Sequence, residues 1–212
     1  LALARKIPYA HSLVNNRRWE MKAVVPINRL KGRILGLVGF GNIAQGIVSK
    51  AHAFGIKTIA ADPYVSDEEF TKLDVERVDF DQLLERADFI SIHTPLTEET
   101  KNLFGQSAFK KMKPEALLIN TARGPLVDID ALAEALESNE IAGAALDVLP
   151  QEPPPDDCPL FGREDVILTP HTGFYSADAL LDLQTTVATD VASVLNGKFP
   201  RFPVNPEVRH PK

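Results

Sequence analysis

Short apolar runs alternate along this chain with segments whose apolar residues recur every three or four positions. Ile34-Leu35-Gly36-Leu37-Val38 is apolar throughout and partly β-branched, which predicts a buried strand. Ile47, Val48, Ala51 and Phe54 then fall at helical spacing, and residues 56–61 predict a second strand ending at Asp62. Residues 79–86 read as a short acid-capped helix with Leu83 and Leu84 inward, and Phe89-Ile90-Ser91-Ile92 as a strand. A helix over 103–112, a strand over 116–120 and an Asp128-capped helix over 129–138 follow; Leu132, Ala135 and Leu136 stripe the last. Strands over 141–146 and 166–168 come next. The pattern closes with a long helix from Ala177 to Leu195, its Leu180, Leu183, Val187, Val191, Val194 and Leu195 mostly on one side, stopped by Asn196-Gly197. At the other end, Leu1, Leu3 and Ala4 read as a helical end closing at Ile7-Pro8, with a short helix near 9–16 and a linker after it. Strands and helices alternating at this spacing predict an α/β fold, a doubly wound parallel sheet with helices on both faces.

The turn between the first strand and its helix reads Gly39-Phe40-Gly41-Asn42-Ile43-Ala44. Gly39 lets the chain turn off the strand, and Gly41 leaves room for a pyrophosphate to approach the backbone. Ala44 stands where only close helix–strand packing is needed. The amides and dipole at the helix start favour a diphosphate. Asp62, closing the second strand, suits ribose hydroxyls and repels a 2'-phosphate, so NAD is expected over NADP.

Composition narrows the field. A chain of 212 residues can bury about 70% of its extended surface, enough for one substantial core. The net charge is -6 with cations interspersed among acids, so no nucleic-acid face is expected. One cysteine, Cys158, excludes an intramolecular disulfide and argues against a metal cluster. No apolar run approaches membrane-spanning length and no signal peptide is legible, so a soluble cytoplasmic protein without a membrane partner is expected.

Ligands of open parallel sheets bind beyond the carboxyl ends of the strands. Four such ends carry His93, Arg123, Asp147 and His171, with Glu152 a short loop away. Arg123, held before Gly124-Pro125, suits a carboxylate, or else a surface ion pair. His171 between Pro170 and Thr172 is a rigidly placed imidazole, either catalytic or structural. Glu152 alone reads as solvated charge.

Segments running nearly end to end carry a resemblance: Gly32-Arg33 through Ala44, Asp62-Pro63-Tyr64, His93-Thr94-Pro95-Leu96-Thr97, Ile119 through Gly124, Ala145 through Val148, Glu152-Pro153 and Leu168 through Gly173. The chain resembles the coenzyme domain of the NAD-dependent D-2-hydroxyacid dehydrogenases. The resemblance implies that Arg123 binds the substrate carboxylate. It makes His171 the general acid for reduction and base for oxidation, and gives it Glu152 as a partner that raises its pKa. Asp147 is expected near the nicotinamide carboxamide, His93, Thr94 and Pro95 along the adenosine side, and Thr121 and Ala122 along the nicotinamide side. Coenzyme contacts are expected at Gly39, Gly41, Asn42, Ile43, Asp62, Pro63, Arg123, His171 and Gly173 as well. Asn42 departs from the Arg or Lys of many members and gives up a charge toward the phosphates.

The resemblance further implies a two-domain enzyme acting on a small 2-oxo or 2-hydroxy acid. Residues 1–26 would be a crossover helix and linker from an N-terminal substrate domain, 27–175 the NAD-binding domain, and 176–212 a helix and tail returning toward the first. On that reading this chain binds NAD with little turnover of its own. A homodimer through the coenzyme domain is expected, with Trp19 and the helix near His11 as candidate interface; Trp19 equally suits a core or lid position of the monomer. The family is also similar to corepressors that dimerise on NAD(H), which can keep Arg123, Glu152 and His171. A Tyr-x-x-x-Lys reductase pair is absent from the expected place, and Glu152 stands where formate-oxidising relatives carry glutamine.

Overall fold

The structure, a computed structural model, describes residues 1–201 and 203–205. Its strands are Ile34–Val38 (β1), Lys57–Ala61 (β2), Glu76–Arg77 (β3), Phe89–Ile92 (β4), Leu117–Asn120 (β5), Gly143–Leu146 (β6) and Val166–Leu168 (β7). They form one sheet in the order β3-β2-β1-β4-β5-β6-β7, and every pairing is parallel. The chain winds outward from β1 through β2 to β3, then crosses to β4 on the other side of β1. The winding therefore reverses between β1 and β4, the place at whose carboxyl edge open α/β sheets bind their ligands.

Register decides what lines that edge. Ala61, Val38, Ile92, Asn120, Leu146 and Leu168 form one row across six strands. The next residue along each strand is Asp62, Gly39, His93, Thr121, Asp147 or Thr169. Residues far apart in sequence are thus brought to one line by sheet pairing alone.

The helices are Ile7–Asn15 (α1), Asn42–Ala53 (α2), Asp67–Lys72 (α3), Phe80–Arg86 (α4), Gln106–Phe109 (α5), Ile129–Glu137 (α6) and Ala177–Leu195 (α7). Alternate residues of β1 feed two cores. Leu35 and Leu37 join Phe40, Val48 and Phe70, whereas Ile34 and Val38 pack with Leu83, Ile90, Phe104, Leu118 and Leu132. Each such fully buried side chain contributes roughly 1.5–3 kcal/mol. Phe40, in the middle of the glycine turn, has no exposed surface and stacks on Phe70 at 4.6 Å between ring centroids. The turn is pinned by its own side chain to the core. Asp79 caps α4 in a reciprocal box with Gln82, and Asp128 caps α6 through the Asp130 and Ala131 amides.

Three sequence expectations need correction. The helix over 103–112 shrinks to the four residues of α5, because Phe104 is drawn into the core. The Phe104 amide donates to Leu126, and its carbonyl accepts from Asp128, which commits this backbone to a bridge with Val127. Residues 2–6 form turns rather than a helical end. Lys6 adopts φ 50° and the helix begins afterwards, with Pro8 in its first turn, where its missing N–H is harmless. Third, α3 and β3 have no counterpart in the sequence reading. α3 opens with Asp67, Glu68 and Glu69 and buries only Phe70; β3 has both residues exposed.

The chain divides into two compact units, 1–171 and 172 onward. The second contains α7, capped by the Ser176 hydroxyl on the Ala179 amide; none of its residues is buried, and Leu180, Leu183, Val187 and Val191 are exposed. Of the expected C-terminal tail, Phe202 and residues 206–212 lie outside the described residues. Among the described residues no helix is long and apolar enough to cross a membrane. Cys158 is buried in the larger core.

Candidate active site

Two of the turn's glycines are required for different reasons. Gly39 has φ +86°, its amide donates to the Ala61 carbonyl, and an added Cβ would lie 2.8 Å from the His93 carbonyl carbon and the Thr94 nitrogen. Backbone strain and a backbone clash both exclude a side chain there. Gly41 has an ordinary φ of -77°, and a Cβ would meet nothing within 4 Å. The space over it is open, a cradle that a side chain would fill. α2 starts at once, no side chain caps it, and Asn42 and Ile43 are exposed on its first turn. Its leading amides are therefore presented to whatever occupies that space. Gly39→Ala is expected to lower the melting temperature by several degrees, whereas Gly41→Ala should leave it within about 2 °C yet weaken NADH binding about tenfold or more. Differential scanning fluorimetry and NADH fluorescence titration separate the two.

Asp62 does more than sequence reasoning assigns to it. One carboxylate oxygen accepts the Phe40 amide and the other the Tyr64 amide, both at 2.8 Å. The same acid that faces the expected ribose position thus also shapes the glycine turn, and each oxygen retains a second lone pair for a hydroxyl donor. Pro63 lies exposed next to it.

His93 follows β4, with its Nε2 2.9 Å from the buried Ser91 hydroxyl; Thr94 is half-buried and Pro95 exposed beside it. Burial pulls the His93 pKa down to about 4, so the ring is neutral near pH 7. An unfolded histidine near 6.5 binds a proton that the folded one refuses. Stability should therefore decline as pH falls from about 6.5 toward 4. Thermal melts across that range test this, and His93→Gln should flatten that part of the curve.

Arg123, Glu152 and His171 come from the loops after β5, β6 and β7. Asn120, fully buried at the end of β5, accepts the Ala122 amide at Oδ1 (3.0 Å) and donates from Nδ2 to the Arg123 carbonyl (2.9 Å). The Arg123 guanidinium is exposed and donates to the Ala122 carbonyl at 2.6 Å; among the described residues no carboxylate pairs with it. Thr121 is exposed and Ala122 half-buried on the same turn. Gly124 packs directly on the next loop, where a Cβ would lie 2.0 Å from the Leu149 carbonyl carbon.

From that loop Glu152 anchors one oxygen on the Leu149 amide (3.0 Å) and sets the other 2.7 Å from His171 Nδ1. The His171 hydrogen bond, helped by the Leu149 amide, holds the Glu152 carboxyl below the usual range. His171 itself has φ 54°, uncommon for a residue with a side chain, and its amide donates to the Asp147 and Thr169 carbonyls, both at 2.9 Å. Asp147 is buried and accepts the Thr169 hydroxyl at 2.5 Å. Gly173 belongs to the second unit.

Four contributors escape sequence reasoning: Asn120, Ser91, Thr169 and the Leu149 amide. Asn120 alone leaves a trace, as a polar residue closing a buried strand directly before a charged turn. A groove of about 1120 Å³ lies at the opposite, amino edge of the sheet. Three of its cations are paired: Arg18 with Glu20, Arg33 with Asp88 and Arg163 with Asp165.

An open glycine cradle at the winding reversal and a histidine–carboxylate pair at the same edge of the sheet suit a dinucleotide-binding domain. The chain belongs to the D-isomer specific 2-hydroxyacid dehydrogenase family, whose NAD binding domain matches residues 1–173, and NAD is its cofactor. It is 38% identical to a D-3-phosphoglycerate dehydrogenase of Archaeoglobus fulgidus over 97% of this chain and 39% of that protein. It is 40% identical to a glyoxylate reductase of Thermococcus litoralis, over 98% of this chain and 64% of the other. Its structure superposes on the D-lactate dehydrogenase of Lactobacillus jensenii solved with NAD+ at a TM-score of 0.86 and 33% identity, covering 96% of this chain and 64% of that one. The chain thus spans about two fifths of the length of the phosphoglycerate dehydrogenase relative.

Proposed function

We propose that this chain is the coenzyme-binding part of an NAD-dependent D-2-hydroxyacid dehydrogenase that interconverts a small 2-oxo acid and its D-2-hydroxy acid. The observation that carries this is the 2.7 Å contact of His171 Nδ1 with Glu152, on loops neighbouring an arginine that has no carboxylate partner among the described residues. Bound NADH supplies hydride to the substrate's carbonyl carbon. Arg123 binds the substrate carboxylate and draws the 2-carbonyl into line. Glu152, ionised and tied to Leu149, holds Nδ1, so proton exchange with the substrate oxygen falls to Nε2 of His171. Reversal of the reaction returns that proton to the ring.

The coenzyme lies, on this reading, with its diphosphate over Gly39, Gly41, Asn42 and Ile43. Asp62, Pro63, His93, Thr94 and Pro95 would line its adenosine side, and Thr121, Ala122, Arg123, Asp147 and His171 its nicotinamide side. Asp62 makes NAD preferred over NADP. Residues 27–175 form the NAD-binding domain; 1–26 and 176–212 connect it to a substrate domain.

Turnover of the intact gene product on a panel of 2-oxo acids tests this reading. NADH should be oxidised with a D-configured product, NADPH should serve poorly, and the 212-residue chain should bind NADH with little turnover. An L-configured product, or no turnover on any 2-oxo acid, would refute it.

A cytoplasmic homodimer completes the proposal. Trp19, 88% exposed, and Met21, 76% exposed, stand with Val25 along the segment after α1, whose last turn exposes Val14, an apolar set suited to a second copy. Trp19→Glu is expected to convert a dimer to a monomer in sedimentation while NADH affinity stays within about threefold.

A further inference from the structure

Asn120 has no exposed surface, yet both ends of its side-chain amide are engaged, by Ala122 and Arg123 of the turn that follows it. The reverse amide orientation would set donor against the Ala122 N–H and acceptor against the Arg123 carbonyl, so the network fixes which end is which. The Asn120 carbonyl meanwhile accepts the Asp147 amide at 2.9 Å, tying the turn to β6. A second fixing lies just beyond, where Gly124 seats the turn on the backbone of Leu149, whose amide holds Glu152. A continuous path of short contacts therefore joins the arginine turn to the histidine's partner.

We propose that Asn120 is a positioning residue for the substrate. Its side chain splints the turn from Thr121 to Arg123 and keeps the guanidinium in register with the Glu152–His171 pair. A carboxylate held by Arg123 then presents its 2-carbon to the imidazole. The inference rests on Arg123 as carboxylate receptor. Asn120→Ala removes the splint and leaves a buried amide and carbonyl without it. Asn120→Asp keeps the shape and the acceptor but loses the donor, which returns only when the carboxyl is protonated.

The test uses the intact gene product, with NADH titration, 2-oxo acid kinetics and thermal melts on single and double variants. Asn120→Ala should leave the NADH Kd within about twofold while kcat/KM for the 2-oxo acid falls about 10- to 100-fold. In an Arg123→Ala background the same change should cost less than about threefold, since the group being positioned is gone. Asn120→Asp should recover toward the parent as pH is lowered, because protonation restores the donor. Equal losses in both backgrounds, or an Asn120→Asp pH profile parallel to the parent's, would overturn the proposal. Should Asn120→Ala fail to fold, the isosteric Asn120→Asp profile decides alone. If Arg123→Ala itself leaves the KM of the 2-oxo acid unchanged, the carboxylate-receptor reading falls and takes this inference with it. A large Arg123 effect with no coupling removes only the role of Asn120.

Discussion

His171→Asn in the intact gene product is expected to lower kcat by about a thousandfold, while NADH binds within about threefold of the parent. Asparagine is close in size and can donate a hydrogen bond to Glu152, so the loop geometry survives. It cannot carry a proton to or from the substrate oxygen. The strained φ of 54° at this position is also one that asparagine adopts more readily than most residues. A loss confined to kcat and kcat/KM, with the melting temperature and NADH titration nearly unchanged, separates proton transfer from folding. Near-normal turnover would remove His171 from the chemistry. Glu152→Gln tests the same pair through its charge. The hydrogen-bond partner remains but the ionised carboxylate is gone, so turnover should fall about tenfold or more while NADH still binds within about threefold of the parent.

Arg123→Ala carries the second large effect. The side chain is exposed, engages only the carbonyl of its neighbour among the described contacts, and lies on a turn held by Asn120 and Gly124. Its removal should leave the melting temperature within about 2 °C, since no ion pair is broken. kcat/KM for the 2-oxo acid should fall by about 10²- to 10³-fold, with much of the loss in KM, as expected for deletion of a bidentate carboxylate receptor. Arg123→Lys should restore only part of it, because an ammonium lacks the planar fork. Unchanged kinetics would show that the carboxylate binds elsewhere.

The central unit was the most legible from sequence because its signals are local and mutually reinforcing. β1, the glycine turn, α2 and β2 occupy one contiguous stretch, and each predicts the next. The alternation of Leu35 and Leu37 against Ile34 and Val38 correctly implies two covered faces. Elements whose residues are chosen by long-range contacts are less readable. Phe104 lies in a stretch with helical periodicity, but its backbone bonds to residues 126 and 128 overrule that local preference. β3 is a two-residue polar edge strand with no hydrophobic signature.

The same contrast holds at the rim. Arg123, Glu152 and His171 stand out as charged or titratable residues near strand ends. Their alignment depends on the register row from Ala61 to Leu168, which only the sheet reveals. Asp62 reads as a ribose acid, whereas its two bonds to turn amides have no sequence signal. Asn120 and Thr169 act through neighbours; Thr169 has nothing in its own character to set it apart, and Asn120 is marked only as a polar residue closing a buried strand.

Diffraction from crystals of the 212-residue chain grown with NAD+ tests the site most directly. The diphosphate is expected against the first amides of α2 above Gly41, the adenine ribose on Asp62, and the nicotinamide between Ala122 and Asp147 with its reactive carbon toward His171. A dinucleotide bound instead in the amino-edge groove beside Arg33 and Arg163, or side chains filling the space over Gly41, would contradict it.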